Sequence, residues 1–430
     1  MLSSRIFSPH LLFLLVLVAA CTPEPEVPMD AWRRTQWILD FEQGLTTARH
    51  SGRPVFIYFT ASWCSWCHQY ERDTLSDPRV RHMLQQHYVS VLIDFDGRPD
   101  LSERLRVGGL PYSAVLTNTG DVALPIVGIV SPQDLGDLLE GAATTLPSQE
   151  ITETLAVTGV HDLGPAGLES FRKAYLEHLD TLYEAEIGTL AARFETGAGF
   201  KRPAPRSWRY LLQQGLWPKR IQRAATVEAQ RLRDSTDGGF FYFLDPHRED
   251  YLETSKLLEA NAWLMAWFAE AGMVYNDETL IQVARSGLAF LRNRLWEPKS
   301  GGFYQAQIAD RDYYDLPARE RRSRPSPAIM QALRTDTNAQ AVIALVATGK
   351  ALQTESAYRM AEEALNFILT GMFHQDRLYH IREQGHYGSL VDRPADWFWT
   401  LAAANAVATS PADALHGHAV RAIHSKASAW

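Results

Sequence analysis

Cysteine is scarce in this chain: there are three among 430 residues, and two of them, Cys64 and Cys67, stand two residues apart. So few exclude a scaffold stapled by several disulfides. No apolar run reaches the roughly 20 residues that a bilayer-spanning helix needs, and the stretch Leu11 to Ala20 covers about half of that. Positive charge is in deficit as well. A net charge of −8 argues against nucleic acid as a partner. What remains, 46% hydrophobic and 21% charged, is ordinary globular material and long enough for two domains.

Arg5 followed by Leu11 to Ala20 reads as the core of a signal peptide over residues 1–20. Val18-Ala19-Ala20-Cys21 resembles the lipobox of bacterial lipoproteins, which implies that Cys21 is acylated and becomes the new N-terminus. Residues 21–29, rich in proline and glutamate, read as an extended tether. Thr22 in place of an aspartate resembles lipoproteins sent to the outer membrane. The expectation is a bacterial cell-envelope protein facing the periplasm and held to the membrane by its lipid anchor only. With Cys21 acylated, Cys64 and Cys67 are the sulfurs left for redox chemistry in an oxidising compartment.

Residues 30–147 alternate between helical and strand patterns. Asp30 to Arg49 has helical spacing at Trp37, Ile38, Phe41 and Leu45, and Gly52-Arg53-Pro54 ends it. Val55 to Phe59 is a short apolar run that fits a strand buried on both faces. Ser62-Trp63-Cys64-Ser65-Trp66-Cys67-His68 follows directly. Tyr88 to Asp94 reads as a second strand. Ser113–Leu116 and Val122–Val127 flank Asn118-Thr-Gly-Asp121 as a hairpin, and Ser131-Pro132 reads as a helix start. A Cys-x-x-Cys pair opening a helix after a buried strand suits thiol chemistry. The attacking species is the thiolate, and unpaired backbone N–H groups and the helix dipole favour it there. Cys67, a turn further in, is placed to resolve a mixed disulfide on Cys64.

Trp63 to Val80 is similar to the periplasmic C-terminal domain of DsbD thiol:disulfide interchange proteins, and more so to the thioredoxin-like domain of the spermatogenesis-associated family. The resemblance covers most of residues 30–147 and implies an α/β thioredoxin-like fold. It further implies that Pro111, in Gly109-Leu110-Pro111, is a cis-proline beside the cysteines, and that the Leu110 backbone pairs with a substrate strand. Trp63 and Trp66 are candidate substrate-facing aromatics, whereas Tyr58 reads as core packing. Thioredoxins and the DsbD domain carry a buried aspartate where this chain has Tyr58, so proton handling falls to Glu71 or His68. Three rival readings of the pair stay open. Cys64-x-x-Cys67-His68 also spells a c-type haem attachment motif, though it follows a buried strand without further haem-ligand context. Zinc needs more ligands than the pair supplies, and a structural disulfide across so short a loop gains little. The expectation is no cofactor and no metal.

From Leu155 to the C-terminus (residues 155–430) the period is helical. Leu257 to Phe268, Leu280 to Leu295 and Met360 to Leu369 each present an apolar face. Glycine–aromatic turns recur between such segments at Gly197-Ala-Gly-Phe200, Gly238-Gly-Phe-Phe241 and Gly301-Gly-Phe-Tyr304, which suggests stacked helical hairpins. This all-α region resembles the α/α toroid of the six-hairpin glycosidase group. The spermatogenesis-associated family joins such a toroid to its thioredoxin-like domain, and Asp180 to Gly188 is similar to the start of that toroid. At eight to ten helices against twelve in a full ring, the toroid would be incomplete. Carbohydrate chemistry would need two facing carboxylates. Candidates are Asp245, Asp250, Glu253, Asp336 and Asp396, with Trp397 and Trp399 as stacking surfaces, although acidic residues on helical repeats are mostly solvated. The family's His-Phe-Glu-Lys stretch appears as Glu253-Thr-Ser-Lys256, a departure that counts against hydrolysis, while Asn261 still matches. His374, His380 and His386 share no helical face and read as loop or surface residues. The expectation is a thiol–disulfide oxidoreductase with protein disulfide or dithiol clients, an envelope redox partner, and a helical domain that recruits the client. The competing expectation is a glycan-binding or carbohydrate-active toroid with the thioredoxin-like domain as adaptor.

Overall fold

The computed structural model describes residues 31–145, 164–190, 203–245 and 251–409. The expected signal peptide, Cys21, the tether, Asp250 and the turn Gly197–Phe200 lie outside the described residues. Among the described residues no helix is long and apolar enough to cross a membrane. Contacts divide the chain into two units. The first holds Met1–Tyr58, Gln69–Leu92 and Ser113–Gln149; the second holds Phe59–His68, Ile93–Tyr112 and Glu150–Trp430. The cysteine segment and the stretch after the second strand therefore group with the helical residues.

The thioredoxin-like part is built on a four-stranded sheet of β1 (Val55–Thr60), β2 (Val89–Asp94), β3 (Tyr112–Leu116) and β4 (Val122–Val127), in the order β2-β1-β3-β4. Its helices are α1 (Phe41–Ser51), α2 (Ser65–Tyr70), α3 (Pro78–His87), α4 (Pro99–Arg104) and α5 (Pro132–Thr145). β1 is buried almost throughout, as its unbroken apolar run requires. In the first unit a core of Trp32, Phe56, Tyr58, Tyr70, Val115 and Leu139 forms around the sheet. The Ser131 hydroxyl accepts from the Asp134 N–H at the start of α5.

The single helix expected over Asp30 to Arg49 is corrected. A 3-10 turn occupies Ala31–Arg34, and α1 begins only at Phe41. Asp40 has extended backbone and takes the Gln43 N–H on its carboxylate, which makes it the N-cap. Ile38 instead bridges β2 in parallel, donating to Ser90 O at 2.9 Å and accepting from the Leu92 N–H at 3.0 Å. Satisfying the backbone at a sheet edge outweighs local helical spacing here.

The second unit carries α6 (Pro165–Leu182), α7 (Pro205–Gln213), α8 (Pro218–Leu232), α9 (Leu258–Tyr275), α10 (Glu278–Phe290), α11 (Thr335–Leu352), α12 (Glu355–Gly371) and α13 (Pro394–Ala408). α9 packs on α7, α10 and α11, and α11 packs on α12 and α13. α9 and α11 are apolar around most of their circumference, as helices enclosed by others must be.

The two central hairpins repeat with an offset of 77 residues, the separation of Trp263 and Gln340, whose side chains bond across the helices at 2.9 Å. α9 and α11 each have 18 residues and end in a left-handed cap, Asn276 and Gln353. Each begins with a buried asparagine in its first turn. Asn261 Oδ1 accepts from the Phe240 N–H, and its Nδ2 donates to Phe240 O and Leu257 O. Asn338 treats Phe303 N–H, Phe303 O and Arg334 O in the same way. The glycines before each phenylalanine are required by close approach: a Cβ on Gly239 would meet the Phe290 ring at 2.7 Å, and one on Gly302 would meet Phe367 at 2.6 Å. Gly239 also sits at φ 75°.

One buried acid in this core lacks a charged partner. Glu228 Oε1 receives the Thr189 hydroxyl and, at 3.4 Å, the Trp208 indole N–H, while Oε2 has no hydrogen-bond partner among the described residues. Burial pushes its carboxyl up to about 7, against the pull of those two donors.

Two outcomes follow from these contacts. Asn338→Ala strands a buried N–H and two carbonyls, so a loss of about 2–4 kcal/mol is expected by urea unfolding; a change below about 0.5 kcal/mol would contradict the anchor. For Glu228, the native state keeps a proton that the unfolded chain releases between roughly pH 4.5 and pH 7. Its stabilising contribution is thus complete below the unfolded value and is lost as pH rises through about 7. The loss is of order 3 kcal/mol, and Glu228→Gln should flatten that part of a urea-midpoint profile taken from pH 4.5 to 8.

Candidate functional site: a covered disulfide

Cys64 and Cys67 are joined by a disulfide with Cα atoms 5.3 Å apart. The Cys64 N–H donates to Ala61 O, and the Cys67 N–H points at Cys64 Sγ from 3.1 Å. That donor, at the first turn of α2, favours a thiolate on Cys64 once the bond is opened. The peptide Leu110–Pro111 is cis. Cys64 is 3% exposed and Cys67 0%. Cys64 lines a cleft of about 90 Å³ together with Trp63, Trp66, Phe95, Leu110, Tyr242 and Glu253. Cys67 does not reach it. The apolar floor around the pair includes Leu257, Ala306, Met330 and Ala332, so the cysteines sit beneath helical-domain residues.

The segment after β2 is fixed by a buried ionic line. Asp96 Oδ2 accepts from the Trp63 indole at 2.6 Å, and Asp96 Oδ1 from the Arg334 guanidinium at 2.6 Å. Arg334 also holds Asp336 through two bonds, of 3.1 and 2.8 Å. His380 Nε2 lies 3.0 Å from Asp96 O, an atom that can only accept, so this nitrogen carries a hydrogen. His380 Nδ1 faces the Asp396 carboxylate at 2.9 and 3.0 Å. Burial holds Asp396 above its ordinary range against the pull of His380. Asp336 stays below its ordinary range: burial opposes this, but the Arg334 charge overrides it. Asp336, His380 and Asp396 could converge on a cation, having ligand atoms within 4.8 Å of one another. Their charge is already met by Arg334 and by Arg393, whose Nη1 lies 3.7 Å from Asp396 and 4.0 Å from Asp336. The donor set fits a salt-bridge network better than a metal.

Several expectations change against this geometry. His380, read from sequence as loop or surface, is fully buried, because Asp396 and Asp96 O receive its two ring nitrogens; His374 and His386 are exposed. Glu253, Asp336 and Asp396, grouped with solvated acids, are buried and bonded. Asp336 and Asp396 do meet, and each lies within 4.0 Å of an arginine. Trp397 packs edge-on against Phe373, and Trp399 tilts on Trp263 beneath Arg206. Asp245 ends the strand Phe243–Asp245. Glu71, in the first unit, is buried and accepts from the Tyr58 hydroxyl at 3.1 Å; Tyr58 is core, as its strand position implied. His68 is half-buried. Glu253, a candidate carboxylate for the helical domain, has a partner beside the cysteines that spacing missed. Its Oε2 accepts from the Ser65 hydroxyl at 2.5 Å, between the two cysteines, across 188 residues of sequence. No local signal predicts a partner so distant.

A thioredoxin-like family model matches residues 36–118. This part of the chain is thioredoxin-like. The chain is 23% identical over 326 residues to spermatogenesis-associated protein 20 of Rattus norvegicus, covering 66% of this chain and 40% of that protein. It is therefore well short of that relative's length. It is 32% identical over 111 residues to the thiol:disulfide interchange protein DsbD of Ralstonia nicotianae, covering 25% of this chain and 18% of that protein. Among solved structures, cellobiose 2-epimerase from Spirochaeta thermophila aligns with a TM-score of 0.44 at 15% identity, over 63% of this chain and 72% of the epimerase.

Asp96→Ala should remove the indole bond and leave Arg334 with Asp336 alone. The expected result is a loss of about 3–5 kcal/mol, as for other broken buried pairs, with red-shifted tryptophan emission. Asp96→Asn, which keeps an oxygen for Trp63, should shift emission far less; equal shifts in the two variants would refute the clamp.

Proposed function

We propose that this chain carries out thiol–disulfide exchange through Cys64 and Cys67. The observation that carries the reading is the joined pair at the start of α2, with Cys64 alone of the two opening onto a cleft and the Cys67 N–H aimed at its sulfur. Cys64 forms the mixed disulfide and Cys67 resolves it. Leu110 and Pro111 position the substrate sulfur, and Trp63 and Trp66 shape its approach. Protons pass through His68 or Glu71; the Ser65–Glu253 pair is a third candidate, close to the sulfurs. Similarity to thiol:disulfide interchange proteins supports the same chemistry. The helical domain governs which substrate arrives.

Location completes the reading. Export and acylation of Cys21 are supported by the apolar run before it, and would hold the protein on the periplasmic side of a bacterial membrane, the outer one favoured by Thr22.

Titration of the purified protein in glutathione redox buffers tests the proposal. A reversible two-electron couple is expected, lost in Cys64→Ser. A midpoint near about −270 mV would mark a reductase, and one near about −120 mV an oxidant. A pair that does not titrate, or a haem absorbance band, would overturn it.

A further inference from the structure

We propose that the substrate of Cys64 is a low-molecular-weight thiol or disulfide and not a cystine on the surface of a folded protein. This rests on the exchange reading above. Cys64 is only 3% exposed, and the cleft in front of it is walled by Trp63, Trp66, Tyr242, Phe243 and Glu253. A folded partner must bring backbone and neighbouring side chains along with its cystine, and that space does not admit them.

The walls are tied down, so the cleft is narrow by construction. The Tyr242 ring stands edge-on to Trp63 with centroids 5.6 Å apart, and Asp96 holds the same indole from its nitrogen. The Tyr242 N–H donates to Glu253 O at 3.1 Å, and the Phe243–Asp245 ribbon pairs with Tyr251–Glu253. Glu253 in turn grips Ser65, between the cysteines. Trp63, Tyr242 and Glu253 are thus fastened to the cysteine loop or to one another.

The chemistry closes without a further reagent. A small thiolate attacks Cys64 Sγ, and the Cys64–Cys67 bond breaks. Cys67 leaves with the electron pair and takes up a proton. A second small thiolate attacks the substrate sulfur of the mixed disulfide, releasing the small disulfide and a Cys64 thiolate that is then protonated. Two thiols are oxidised and one protein disulfide is reduced; the reverse sequence oxidises the pair.

The test uses the oxidised full chain and one thiol presented in two ways: a short unstructured peptide with a single cysteine, and that peptide sequence grafted into a surface loop of a small folded carrier. Opening of Cys64–Cys67 is followed by alkylation and mass. The peptide is expected to react at least about thirtyfold faster than the carrier, reflecting access to the sulfur alone. A second measurement uses Phe243→Ala, which widens the cleft. It should raise the carrier's rate at least about tenfold and change the rate with 2-mercaptoethanol less than about threefold. Equal rates for peptide and carrier on the unmodified chain would overturn the inference and leave exchange itself standing. If 2-mercaptoethanol opened the pair in denatured chain only, the exchange reading would fall and this inference with it.

Discussion

The placement of Asp96 is the constraint on which the active region depends. Its carboxylate stands between an indole N–H and a guanidinium, and its carbonyl receives an imidazole. An acid so buried is tolerated only when each oxygen is met, because an unpaired charge there costs several kcal/mol. The partners come from far along the chain: Arg334 is 238 residues away and His380 is 284. Meeting those demands fixes the segment after β2, and with it Trp63 and the wall of the cleft. Stability and shape of the site are one requirement.

Covering a redox pair has a chemical cost, since burial disfavours the thiolate that must form when the disulfide opens. The Cys67 N–H, directed at Cys64 Sγ, offsets part of it locally. The same cover narrows the approach to Cys64, so the donor that favours its thiolate and the walls beside it belong to one arrangement of side chains.

The sequence made local features plain and long-range ones invisible. β1, the Cys-x-x-Cys turn, the β3–β4 hairpin and the start of α5 follow from short-range signals: an apolar run, a helix opening, a turn glycine, a capping serine; the cis Leu110–Pro111 peptide was implied by the thioredoxin resemblance. The glycine–aromatic turns at Gly238 and Gly301 likewise announced the hairpins. The misread features all depend on tertiary partners. Ile38 left its helical register for a sheet edge. His380 was buried because Asp396 and Asp96 O await it, and Glu253 meets Ser65 across 188 residues of sequence. Spacing along a chain encodes faces of helices and strands; it does not encode which distant acid will find which distant base.

The paired asparagine anchors have a consequence for how the protein can be studied and altered. Because Asn261 with Phe240 and Asn338 with Phe303 make the same bonds at the start of helices of equal length, each position of α9 has a counterpart in α11. A change made in α9 comes with its own internal control: the same substitution 77 residues away in α11, in matching geometry but different surroundings, separates what a side chain does intrinsically from what its neighbours ask of it.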